Sequence, residues 1–77
     1  MTRTFQDDAL LLWEAYAAAP RSGEDRGARI MFHCLTDRAR RARVLERDED
    51  RTAIEERITF ADETELNEML ESAEPLD

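Results

Sequence analysis

Arg38, Arg40, Arg41 and Arg43 place four guanidinium groups within six consecutive residues. Each is a planar fork of N–H donors that grips a carboxylate or a phosphate through paired hydrogen bonds. The chemistry is anion recognition, on an acidic protein surface or a nucleic-acid backbone. Such a run is also what an ordinary solvated strand face looks like, partly neutralised by acidic residues elsewhere in the chain or in another copy of it. Trp13 and Tyr16 are the second candidates. Aromatic rings with a polar edge anchor interfaces or stack on bases, and they also fill the core that a small fold requires.

His33 and Cys34 are the only residues of their types. Neighbours in a strand point to opposite faces, so the pair cannot converge on a metal that wants about four ligands. Nor can it supply a nucleophile and its base together. Cys34 reads as a core residue and His33 as a half-exposed one. Neither a Gly-x-Gly-x-x-Gly fingerprint nor a P-loop or metalloprotease motif occurs. No catalysis, metal or cofactor is expected.

The elements that must carry these residues follow from a chain of 77 residues. That is one domain with a thin core, burying about 60–65% of the surface its unfolded form exposes. A net charge of −8 favours solubility and repels nucleic acid and anionic membrane at long range. The balance is uneven: residues 38–47 carry five arginines against Glu46, whereas residues 48–77 carry Arg51 and Arg57 against twelve acids. All eleven basic residues are arginine, a usage that fits a GC-rich bacterial genome. One cysteine cannot form an internal disulfide, which suits a reducing compartment. The apolar run 9–13 is shorter than a secretory h-region, and nothing approaches the roughly 20 apolar residues of a membrane span. The expected location is the cytoplasm.

Residues 28–35 alternate, with Ala28, Ile30, Phe32 and Cys34 on one side and Arg29, Met31, His33 and Leu35 on the other. A helix fails here, because the positions three, four and seven after Ile30 are His33, Cys34 and Asp37. A second strand over 40–45, turned through 36–39, completes a central hairpin. Residues 2–5 and 10–16 predict a first hairpin around Gln6-Asp7-Asp8-Ala9. The competing reading is a helix over 7–19, which has high helix propensity and Pro20 as its stop. A two-stranded ribbon is marginal alone and needs a third strand or a helix, which favours the strand.

Residues 18–27 read as a polar loop and 46–61 as an acidic connection, in which Asp50 can cap a short helix with Ile54 and Ile58 on one face. The clearest helix is 62–74. Asp62 and Glu65 have capping-box spacing, Leu66, Met69, Leu70 and Ala73 repeat at helical spacing, and Pro75 ends the run. Its outer side carries Glu63, Glu68, Glu71, Glu74 and Asp77, a ridge that reads as a solvated face or as a phosphate-backbone mimic.

The order Phe5-x-Asp7, Trp13-Glu14, alternating strand, Arg-rich strand and acidic helix resembles small uncharacterised bacterial proteins with a β-meander before an acidic C-terminal helix. The resemblance implies that architecture and no activity. Where that pattern has a turn glycine, this chain has Leu10. The expected fold is α+β: three or four antiparallel strands with one helix packed on them, against an all-α alternative with 7–19 and 36–58 helical. One helix cannot cover both apolar faces of 28–35. The expected function is therefore a bacterial protein–protein interaction or regulatory module, self-associating or bound to a larger partner. A nucleic-acid or transcription-associated factor using Arg38, Arg40, Arg41 and Arg43 is the alternative.

Overall fold

The computed structural model describes residues 2–19 and 27–76. Within them the strands are β1 (Thr2–Gln6), β2 (Leu12–Ala18), β3 (Arg29–Cys34), β4 (Arg43–Glu46) and β5 (Glu74–Pro75), and the helices are α1 (Arg51–Phe60) and α2 (Glu63–Ser72). The five strands form one antiparallel sheet in chain order. The α+β class and the meander are as expected. The helix reading of 7–19 and the all-α alternative are not.

The first hairpin is built by one side chain. Asp7 Oδ1 accepts from the amides of Ala9 and Leu11, both at 2.9 Å, while Oδ2 accepts from Trp13 Nε1 at 2.8 Å. Local bonds of this kind compete with a helix for the same backbone donors, and ladder partners on both sides of β2 complete the override of its helix propensity. The turn needs a left-handed residue, and Leu10 takes it with φ 67°. The glycine's usual place is filled by a residue for which that conformation is costly.

Strand register divides the sheet into two faces. Phe5, Trp13 and Cys34 align across three strands, and Ala15 aligns with Phe32 and Ala17 with Ile30 across β2 and β3. These residues face the helices and form the core with Ile54 and Ile58 of α1 and Leu66, Met69 and Leu70 of α2. No polar or charged residue is buried among the described residues. Both helices are capped as expected: Asp50 accepts from the Ala53 amide and Asp62 from the Glu65 amide, each at 2.8 Å. Their C-terminal carbonyls, which lack helical partners, are met by arginines from the sheet. Arg3 donates to Ile58 O and Thr59 O, and Arg43 donates to Leu70 O at 3.2 Å.

Three boundaries differ from expectation. The stretch 46–61 contains the ten-residue α1, so two helices rather than one cover the sheet. A fifth strand follows α2: Pro75, read as a helix stop, pairs opposite Arg43 at the sheet edge, where a missing N–H is tolerated. β4 begins at Arg43 rather than at 40. Asp37 holds a turn by accepting from Ala39 N at 3.1 Å through its side chain and from Arg40 N at 3.1 Å through its carbonyl. Ala42 O then accepts from Leu76 N instead of joining β3. The loop read over 18–27 falls largely on 20–26, outside the described residues.

Gly27 sets where the helical layer begins. A Cβ there would lie 1.6 Å from Arg47 O. The close approach lets Ala28 N donate to Glu49 O at 2.8 Å and Arg47 N to Ala28 O at 3.1 Å, which holds the connection against β3 just before the Asp50 cap.

Candidate functional site

The turn over 7–11 and the connection over 35–42 lie at the same end of the sheet, because Trp13 at the start of β2 pairs with Cys34 at the end of β3. Leu35 N donates to Leu12 O and Leu12 N to Thr36 Oγ1, tying the two together. Trp13, Arg40, Arg41, Arg43 and Pro75 line a pocket of about 190 Å³ here. That is smaller than the roughly 300–1,000 Å³ of small-molecule sites. It has room for one side chain or one anionic group.

The arginines are not equivalent. Arg43 stacks with its guanidinium carbon 5.5 Å from the Trp13 ring centroid and donates to Leu70 O, so its position is set by packing. The expectation of a solvated strand face fails for this residue, because its partner Phe32 puts it on the helical side. Arg40 lies 3.7 Å from Asp37 with both side chains about half exposed, a contact worth little. Arg41 is exposed at the pocket, and Arg38 is exposed in the turn without lining it. Asp7 is tied to the pocket's Trp13 through the indole N–H. Its burial acts to raise its pKa, but the bonds from the Trp13 indole and the Leu11 and Ala9 amides, with Arg40 nearby, hold the carboxyl below its ordinary range.

The same end of the sheet carries exposed apolar side chains, of which Leu12 and Leu35, next to Trp13 and Cys34 in the chain, take the face opposite the pocket. Leu10 is 71% exposed, Leu12 42% and Leu35 45%, and the remaining large exposed hydrophobic among the described residues, Phe60, is elsewhere. Tyr16 does not join the site. It lies on the helix-free face, as expected from its three-residue spacing from the buried Trp13. There its hydroxyl is 2.9 Å from His33 Nε2, and the two rings stack with centroids 5.5 Å apart. Cys34 is buried and unpaired, with Asp37 N donating to its sulfur at 3.4 Å. No group of three or more metal-ligating side chains occurs among the described residues, and no helix there is long and apolar enough to cross a membrane.

Sequence reasoning named four of the five pocket residues. It missed Pro75, which only β4–β5 pairing delivers, and the part of Asp7, whose signal was its six-residue spacing to Trp13. Comparison with known proteins finds no matching family model, no matching curated protein and no matching solved structure.

Proposed function

We propose that this chain is a non-catalytic bacterial protein–protein interaction module that self-associates and receives an acidic, apolar segment of a protein partner at the Trp13 end of its sheet. One observation carries the reading: three of the four large exposed hydrophobics among the described residues, Leu10, Leu12 and Leu35, share that end with Arg38, Arg40 and Arg41. Apolar contact with arginine beside it is the composition of interface hot regions, where desolvated arginine forks fix the partner's carboxylates. A nucleic acid would need a track of cationic contacts. Here Asp7 and Asp37 interrupt the arginines, and the chain as a whole carries −8.

The test is a fluorescence titration with a labelled peptide alternating glutamate and leucine, set beside a DNA oligonucleotide at the same salt. The peptide should bind more tightly, lose at least tenfold on Arg40→Glu with Arg41→Glu, and weaken on Leu35→Ser. Tighter binding of the oligonucleotide, or a peptide indifferent to both changes, overturns the reading.

A further inference from the structure

The sheet has two edges, and they are protected differently. β5 is two residues long, exposed, and made of Glu74 and Pro75: short, charged and proline-bearing, three of the devices that block further strand pairing. β1 has five residues without proline or glycine. Its one charge, Arg3, is turned inward to hold Ile58 O and Thr59 O.

The direction of its backbone groups follows from two bonds. Asp7 N donates inward to Leu11 O, whereas Gln6 O accepts from Asn67 Nδ2 on the outer side. Backbone groups alternate along an antiparallel strand, so Thr2, Thr4 and Gln6 present theirs outward. Among the described residues no hydrogen bond reaches Thr2 or Thr4 from that side, and all three side chains are exposed. Beside this edge, α1 packs on β1 and ends in Phe60, 84% exposed.

We propose that the β1 edge is the self-association seam, and that its occupant is β1 of a second copy, paired antiparallel about a two-fold axis at Thr4. The inference rests on the self-association read above but places it on an edge, not on the helix-free face. The strand is complementary to itself in this register. Thr2 meets Gln6, Thr4 meets Thr4 and Arg3 meets Phe5, so no like charges oppose one another. Asp7 and Asp8 fall at opposite ends of the seam. Gln6 O keeps a second lone pair for the ladder, and each Phe60 flanks the junction of the two helical layers. Because β5 is blocked, pairing stops at two copies and gives one continuous sheet.

Light scattering over a concentration series tests this on the whole chain. A dimer is expected, tightened by added salt because two −8 chains repel. Thr4→Pro removes an outward N–H that β2 does not use, and Phe60→Glu alters an exposed side chain; each should raise the dimer dissociation constant at least tenfold with an unchanged circular dichroism spectrum. Should Thr4→Pro fail to fold, Phe60→Glu decides. Arg40→Glu with Arg41→Glu should leave the dimer intact. A monomer at every concentration sinks self-association and the seam together, and open-ended polymers sink the two-copy closure. A dimer that survives both edge changes overturns the seam alone.

Discussion

Met31 and Phe32 are neighbours in β3 with opposite surroundings. Phe32 is fully buried, edge-on to Phe5 at 6.1 Å and under the helical layer. Met31 faces the other way, aligned between Tyr16 and Val44, and is buried without belonging to the core cluster. Under the helices β2 and β3 present only apolar side chains, while their opposite face mixes Met31 with Glu14, Tyr16, His33 and Arg29. A second layer, not strand propensity, makes a sheet face into a core.

The strongest way to break this contrast is to prevent the helical layer from seating. Gly27→Ala drives a Cβ into Arg47 O, and its cost is expected to rival the whole stability of a chain this size, on the order of 4–12 kcal/mol. Loss of the cooperative thermal transition would check it. Next, Phe32→Ala is expected to cost about 3–5 kcal/mol, whereas Met31→Ala, with solvent close on its side, should cost about 1–2 kcal/mol. Urea denaturation of the two variants measures the difference directly, and equal costs would mean that the two faces are equally enclosed.

Asp7→Asn should cost roughly 1–3 kcal/mol near neutral pH, since the charged acceptor of the Trp13 indole and two amides is lost. The folded-state pKa lies below the ordinary 3.8, so the stabilisation is present above that value and fades as pH falls through the lower, folded one. The gap between parent and variant should therefore close below about pH 4. Smallest and opposite in sign, Leu10→Gly should stabilise by up to about 1 kcal/mol, because glycine adopts φ 67° without a Cβ penalty. A rise in the thermal midpoint checks it.

Much of the fold was legible where local chemistry and pattern agreed. Alternation in β3, the caps Asp50 and Asp62, and the stripe Leu66, Met69, Leu70 all express themselves within a few residues. Residues 7–19 were ambiguous because propensity favours a helix, whereas the Asp7 bonds that reject it include one to Trp13 and depend on the turn being formed. The site was legible as residue types, not as a place. Nothing in the spacing of Arg40 to Arg43 shows that Arg43 will be drawn away by Leu70 O, 27 residues on, leaving Arg40 and Arg41 at the rim.

By itself the sequence determined that β3 extends, that α2 coils and that the chain is acidic, since each depends on composition or on neighbours in the chain. Tertiary structure alone decided that Pro75 would join Trp13 and the arginines, that Leu10, Leu12 and Leu35 would share their end, and that one sheet edge would be blocked while the other stays open. Those outcomes come from pairing residues far apart in the chain, and a strand's repeat of two records which face a residue takes but not which strand will lie beside it.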